Sequence, residues 1–186
     1  MAFLLLCSAP LFGQLTGRRA PSFSLPDSAT LAQHDILDYR GKWLLLDFMK
    51  TDCPKCRAAA GVMKQVQAQF GGKVAELAIV ISPPENQGTV NKFIKESGAN
   101  FPILFDQGQV AVGYFKATPE RDSFDTPHIF VIDPQGNIVK DWEEGNPAVQ
   151  SAAAMSAALN QLMGVKPPAP AAPKPPAPAA PKPATK

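Results

Sequence analysis

A short apolar segment followed closely by two cysteines most constrains how this 186-residue chain can fold. Residues Trp43–Phe48 form a nearly continuous apolar run, which is typical of a strand buried on both faces of a sheet. After Cys53-Pro54-Lys55-Cys56 the spacing becomes helical, with Val62, Val66 and Phe70 on one face and glycines at 71 and 72 as the stop. The two cysteines are therefore expected where a buried strand leads into the first turn of a helix.

Strand-like and helix-like segments alternate along the body of the chain. Apolar runs predict strands at 74–81, 102–106, 128–133 and 138–142, and periodic segments predict helices at 87–97, 109–115 and 149–163. The order β-α-β-α-β-α-β-β-α predicts an α/β sandwich with a mixed central sheet. Because residues 145–148 interrupt only the last connection, we expect one domain over residues 20–164.

The charge distribution argues against a nucleic-acid-binding protein. Four of the 18 basic residues lie between Lys166 and Lys186, a segment without acidic residues. The rest of the chain carries 14 basic against 16 acidic residues, and so lacks the basic face that nucleic-acid binding needs. No apolar run reaches the roughly 18–20 residues of a membrane span, and three cysteines are too few for a disulfide-stapled scaffold.

The two ends of the chain differ in composition from its body. The apolar stretch from Ala2 to Phe12 has the length of a signal-peptide core, although it lacks a preceding basic region. We interpret residues 1–19 as a signal peptide or N-terminal hydrophobic segment and expect export; lipidation at Cys7 and a buried strand are the alternatives. Residues 165–186 repeat Pro-Pro-Ala-Pro-Ala-Ala-Pro-Lys twice, which predicts a disordered, extended tail.

The cysteine pair is the strongest chemical signal in the sequence. At a helix N-terminus the Cys53 thiolate faces free backbone N–H groups and the positive end of the helix dipole, which lower the pKa of a cysteine. Pro54 is tolerated at the first helical position because its missing N–H costs no hydrogen bond there. Lys55 and Arg57 add positive charge. We expect Cys53 to attack and Cys56 to resolve.

A metal site is the main alternative for this pair, since half a zinc site has the same spacing. However, the chain has no second pair of this kind, and His34 and His128 do not form a ligand pair in the sequence. A redox pair is therefore favoured over a metal site or two inert structural cysteines.

Three segments, in the right order, resemble thioredoxin-like proteins. LDFMKTDCPKC at 46–56 resembles their active-site stretch, and DTPHIFVID at 125–133 resembles their cis-proline loop and following strand. APSFSLPD at 20–27 resembles the start of the redoxin (AhpC/TSA) branch, and residues 81–106 are most similar to its exported TlpA/ResA-type thiol-disulfide oxidoreductases. The resemblance implies a thioredoxin-like three-layer α/β/α sandwich.

The resemblance also implies how a substrate would bind. It places a cis peptide bond between Thr126 and Pro127 beside the cysteines, where the Thr126 backbone would pair with an extended substrate strand. Pro54 and Lys55, between the two cysteines, would contact the same substrate.

Asp47, six residues before Cys53, matches the buried acid that thioredoxins use to accept the proton of the resolving cysteine. A carboxyl group in an apolar strand has a raised pKa and can take a proton near neutral pH. An acid hydrogen-bonded to the backbone at a strand end is the alternative interpretation. Asp52 and Met49 replace residues that are commonly aromatic in the family, and an acid beside Cys53 opposes thiolate formation.

These observations predict a thiol-disulfide oxidoreductase that reduces or exchanges disulfides in exported proteins, with apocytochrome c as one candidate substrate. The Cys53–Cys56 disulfide would be its redox centre, with no added cofactor, and an upstream thiol donor would re-reduce it. We expect a monomer in the bacterial periplasm or at the extracytoplasmic membrane face.

Two alternative functions stay open. A peroxiredoxin-type peroxidase shares the Pro-Ser-Phe opening at 21–23, but the sequence lacks the Pro-x-x-x-Thr-x-x-Cys pattern of that chemistry. A copper-binding metallochaperone of the same fold would use Cys53, Cys56 and His128, since soft thiolates suit Cu(I). The cysteines of such relatives resemble a CxxxC motif, whereas this chain has CxxC, so the spacing disfavours this function.

Overall fold

A mixed six-stranded sheet forms the centre of the protein. The computed structural model describes residues 15–120 and 123–164, so Cys7, residues 1–14 and the predicted tail lie outside the described residues. The sheet contains β1 (Arg18–Arg19), β4 (Trp43–Phe48), β5 (Val74–Ile81), β6 (Ile103–Asp106), β7 (His128–Ile132) and β8 (Asn137–Glu143). Strands β2 (Ser24–Pro26) and β3 (Gln33–Asp35) form a separate antiparallel pair.

The strand order β1-β8-β7-β4-β5-β6 places β4 in the interior of the sheet. Strands β4, β5 and β6 are parallel, whereas β7 runs antiparallel to β4, with Phe48 opposite His128. Because β4 ends where β7 begins, the connection after β4 and the loop before β7 meet at one edge of the sheet. The predicted active-site segment and the predicted cis-proline loop are therefore neighbours.

In the described part of the chain, the α-helices that accompany the sheet are α1 (Pro54–Phe70), α2 (Gln87–Ser97), α3 (Gln109–Phe115), α4 (Pro147–Gln150) and α5 (Ala152–Leu162). Local sequence explains their ends. Asn86 and Thr89 form a capping box at the start of α2, and Gly98 ends it with a φ of 67° that suits glycine. Among the described residues, no helix is both long and apolar enough to cross a membrane.

Alternate residues of β4 belong to two hydrophobic cores on opposite faces of the sheet. Leu45 packs in a core with residues of α1, α2 and α5. Leu44, Leu46 and Phe48 pack in the other core with α3 and with residues that precede β4, such as Phe23. Two layers therefore enclose the sheet, and the predicted three-layer α/β/α sandwich with a mixed sheet is confirmed.

The prediction of one helix over residues 149–163 is wrong. The helix begins earlier and is broken into α4 and α5 at Ser151, which has an extended backbone with φ −146° and ψ 129°. The Ser151 side chain accepts the Ala154 N–H and caps α5, as serine often does at a helix start. The apolar periodicity continues across Ser151, so the sequence pattern does not predict the break.

Candidate active site

Cys53 and Cys56 form a disulfide at the first turn of α1, with their Cα atoms 5.2 Å apart. Cys53 is the N-cap residue, and its Sγ accepts the backbone N–H of Cys56 at an N–S distance of 3.1 Å. This position favours an anionic sulfur because the N–H and the helix dipole both present positive charge to it. Cys53 is partly exposed, whereas Cys56 is completely buried. Of these two described cysteines, Cys53 is the one accessible to an incoming disulfide.

Thr126 and Pro127 lie beside Cys53. Their peptide bond is cis, and the Cys53 Sγ is 3.7 Å from the carbonyl oxygen of Thr126. Pro127 is buried, but Thr126 is partly exposed. The structure thus brings together the predicted attacking sulfur and the predicted substrate-pairing backbone.

Pro54 and Lys55 occupy the exposed tip of α1 between the two cysteines. Lys55 forms an ion pair with Glu144, which follows β8, and this pair lies at the surface. Both predicted substrate-binding residues are therefore accessible to a substrate.

Asp47 is a completely buried acid on β4. Side chains alternate along a strand, and its neighbours Leu45 and Met49 belong to the core that contains Cys56. Asp47 therefore faces the α1 layer. Neither carboxyl oxygen has a hydrogen-bond partner among the described residues. Burial, only partly offset by the nearby backbone amide of His128, raises the pKa of Asp47 to about 8.

His128 lies on the opposite face of the sheet from α1. Its ring is buried against Phe115 and Phe130, with centroid distances of 4.8 and 4.7 Å. Its Nε2 is 3.7 Å from Oδ2 of Asp141, and this contact lowers the pKa of Asp141. Within residues 15–120 and 123–164, no group of three or more His, Cys, Asp or Glu side chains is placed to hold a metal. The ligand set of the copper alternative is therefore not assembled.

A pocket of about 250 Å³, which the sequence does not predict, is lined by Asp52 and Thr126, the neighbours of Cys53. Its residues come from three separate segments and include Met49, Asp52, Ile81, Glu85, Phe124 and Thr126. Met49 and Asp52 are the two positions where the sequence departs from the common aromatic pattern. The carboxylate of Glu85 accepts hydrogen bonds from Thr51, two residues before Cys53. The only sequence signal for Glu85 is an acid after two prolines, which resembles an ordinary loop.

Comparisons with known proteins identify the family. The model of the AhpC/TSA family matches residues 16–141. The chain is 27% identical over 124 residues to the thiol-disulfide oxidoreductase ResA of Bacillus anthracis, covering 67% of each protein.

Two solved structures extend the likeness to the fold. One from Chlorobium tepidum, assigned as thiol:disulfide interchange protein DsbE, matches with a TM-score of 0.63 and 25% identity over 77% of this chain and 96% of the other. The second is a secreted Mycobacterium tuberculosis disulfide oxidoreductase homologous to DsbE of E. coli. It matches with a TM-score of 0.59 and 21% identity over 75% and 95% of the two chains, and supports the fold alone.

The family model covers more than half of the chain, and the relatives share the chemistry that the cysteine pair can perform. The chain therefore belongs to the AhpC/TSA family, as a thioredoxin-like thiol-disulfide oxidoreductase with the redox cysteine pair Cys53–Cys56.

Proposed function

We propose that the protein reduces, or exchanges, disulfides in exported proteins, with Cys53 as the attacking thiol and Cys56 as the resolving thiol. The observation that carries this proposal is the difference between the two sulfurs. Cys53 is partly exposed at the N-terminus of α1 and its Sγ accepts a backbone N–H, whereas Cys56 is completely buried.

The reaction has two exchange steps. The Cys53 thiolate attacks one sulfur of the substrate disulfide, so a mixed disulfide forms and the other substrate sulfur leaves as a thiolate. Cys56 then loses its proton and attacks Sγ of Cys53, which releases the second substrate sulfur as a thiolate that takes up a proton. The substrate gains two electrons and the Cys53–Cys56 disulfide forms. An upstream thiol donor returns the pair to the dithiol by the reverse exchange.

Asp47 is the proposed proton acceptor for Cys56. It faces the same core as Cys56, and its pKa of about 8 is close enough to neutral pH for a proton to be taken up and returned. Without a hydrogen-bond partner in the described part of the chain, its carboxyl group is available for this transfer.

The neighbouring residues are proposed to bind the substrate. The backbone of Thr126, a partly exposed residue whose carbonyl oxygen lies next to Cys53, would pair with an extended substrate segment. Pro54 and Lys55 would contact the same segment from the exposed tip of α1.

We place the protein outside the cytoplasm, in the periplasm or at the extracytoplasmic face of the membrane. Support comes from the apolar N-terminal stretch and from the likeness to a protein described as secreted. Residues 1–19 would direct export, residues 20–164 would form the monomeric catalytic domain, and residues 165–186 would act as a spacer. Apocytochrome c cysteines are one proposed substrate.

A redox titration of the full chain tests the function. The protein is equilibrated in defined dithiothreitol buffers, alkylated, and mapped by mass so that Cys7 is counted separately. A reversible two-electron couple at Cys53 and Cys56, absent in Cys53→Ser, is the expected result. A potential near about −270 mV indicates a reductant, and one near about −120 mV an oxidant. Absence of any couple at these two cysteines contradicts the proposal.

A peroxidase is the second candidate, because the AhpC/TSA family match also covers the redoxin opening that peroxiredoxins share. Consumption of hydrogen peroxide in the presence of dithiothreitol, measured alongside insulin reduction, separates the two functions. Peroxide turnover that far exceeds disulfide turnover favours the peroxidase.

A further inference from the structure

Glu85 has a buried carboxylate whose hydrogen bonds lead directly to the active-site segment. It follows β5 and is 8% exposed. One oxygen, Oε1, accepts the backbone N–H of Thr51 at 2.8 Å, and the other, Oε2, accepts the Thr51 hydroxyl at 2.6 Å. The hydroxyl of Thr89, in the first turn of α2, donates to Oε2 at 2.6 Å. The carboxylate thus connects the start of α2 to the connection between β4 and α1.

Thr51 is also held through its carbonyl oxygen. Its carbonyl oxygen accepts a hydrogen bond from Nη1 of Arg57 at 3.3 Å, and Arg57 belongs to the first turn of α1. The same guanidinium group is 3.4 Å from a carboxylate oxygen of Glu96 on α2. Since Thr51 is only two residues before Cys53, these contacts determine where the N-cap residue of α1 lies.

We propose that Glu85 is a positioning residue for the attacking thiol. By holding both the N–H and the hydroxyl of Thr51, it keeps the Cys53 Sγ where it accepts the Cys56 N–H, at the 3.1 Å seen in the structure. This inference rests on the proposed function, because it takes Cys53 to be the thiol that attacks.

Geometry and charge predict opposite effects of removing Glu85. If the carboxylate acts by position, its loss withdraws the N–H from Cys53, disfavours the thiolate and slows the thiol. If it acts mainly through its negative charge, its loss removes a repulsion and makes the thiol more reactive. Glu85→Gln separates the two, since the amide oxygen still accepts the Thr51 N–H while the charge is lost.

The experiment measures the rate of iodoacetamide alkylation of Cys53 in the reduced full chain from pH 5 to pH 9, with mass mapping of the labelled cysteine. Glu85→Ala should slow the reaction about tenfold below the pKa of Cys53, as expected for one hydrogen bond to an anion. The reduction potential of the Cys53–Cys56 pair in Glu85→Ala should become more negative by up to about 30 mV, which is equivalent to that tenfold change. Glu85→Gln should remain within about threefold of the wild type.

Asp27 provides a matched control. It is 6% exposed, and its Oδ1 accepts both the backbone N–H and the hydroxyl of Thr30, at 2.7 and 2.8 Å. It lies in the turn after β2, and its backbone pairs with Leu104 of β6, which is two strands away from β4 in the sheet. Asp27→Ala therefore removes an equivalent set of hydrogen bonds, and it should leave the alkylation profile of Cys53 unchanged.

If Glu85→Ala does not fold, Thr51→Val replaces it, since valine removes the hydroxyl donor and keeps the backbone N–H. It should slow alkylation below the pKa of Cys53 about threefold, a smaller effect than that of Glu85→Ala because only one of the two contacts to Thr51 is lost. Unchanged rates in the Glu85→Ala or Thr51→Val variant, or faster rates in both Glu85 variants, overturn the positioning role. Preferential labelling of Cys56 in the wild type contradicts the proposed function instead.

Discussion

The buried carboxyl of Asp47 should reduce the stability of the protein while assisting its chemistry, and Asp47→Asn tests both effects. Asparagine keeps the size of the protonated acid but cannot ionise. We therefore expect the variant to be more stable than the wild type at neutral pH and slower in resolving the mixed disulfide.

The size of the stability effect follows from the raised pKa of Asp47, about 8 against an ordinary 3.8. Below about pH 4 the carboxyl is protonated in both the folded and unfolded states and imposes no penalty. Between these two values only the unfolded state ionises, so the free energy of unfolding falls by up to about 1.4 kcal/mol per pH unit. At pH 7 the penalty reaches at most about 4 kcal/mol. Asp47→Asn should recover most of it.

The stability assay is urea unfolding of the oxidised full chain at pH 5 and pH 7.5, where the advantage of Asp47→Asn should grow with pH. The kinetic assay follows release of a model substrate from its mixed disulfide with Cys53, which should slow about 100-fold, the low end of general-base contributions.

Glu76→Gln is the matched control. Glu76 lies on β5, is 2% exposed, has no hydrogen-bond partner among the described residues, and has a pKa raised by burial to about 8. It sits opposite Leu45, nearer the start of β4 than Asp47, and lines a pocket with Gly71 beyond the end of α1. Its replacement should stabilise the fold with the same pH dependence and leave release unchanged. If Asp47→Asn is no more stable than the wild type at pH 7.5, the stability penalty assigned to the buried carboxyl is wrong. If it releases substrate at the wild-type rate, Asp47 is not the proton acceptor.

Three further changes give direct readouts. Cys56→Ser should trap substrate as a mixed disulfide on Cys53, detected by non-reducing gel and mass; free substrate with no adduct contradicts the assigned order of attack. Phe115→Ala should lower the free energy of unfolding by about 3–5 kcal/mol, because the ring packs in a buried aromatic cluster; a loss below about 1 kcal/mol in urea unfolding argues against that packing. Breaking the exposed Lys55–Glu144 pair with Glu144→Gln should change stability by less than about 1 kcal/mol, and a larger loss by the same method would show a buried role.

The long central elements could be predicted from the sequence because each is an apolar or periodic run bounded by proline, glycine or asparagine. Strand β5 and helices α2 and α3 have the predicted bounds, and α1 ends at the predicted glycines. The short strands β1, β2 and β3 could not, since two or three residues carry no pattern. Strand β1 exists only because Arg18 and Arg19 pair with β8, more than a hundred residues later.

The active site also contains features that local sequence predicts and features that depend on distant contacts. The cysteine pair and its position at a helix start are local features, so the sequence contains them completely. The contact between Glu85 and Thr51 joins residues 34 positions apart, and one sequence does not show which acid will reach back to the active-site segment. From the sequence, His128 is a candidate copper ligand. Its burial among aromatic rings depends on Phe115, which comes from a separate helix.

The unequal exposure of the two cysteines also bears on how the protein would withstand oxidative damage. Peroxide that reaches Cys53 converts its thiolate to a sulfenic acid, and a second oxidation would make the irreversible sulfinic acid. Cys56 lies one helical turn away, close enough to form a disulfide. Because it is completely buried, peroxide reacts with Cys53 before it reaches Cys56. Its thiol condenses with the sulfenic acid, water leaves, and the ordinary disulfide forms. The cysteine proposed to resolve the mixed disulfide would therefore also keep the exposed sulfur recoverable.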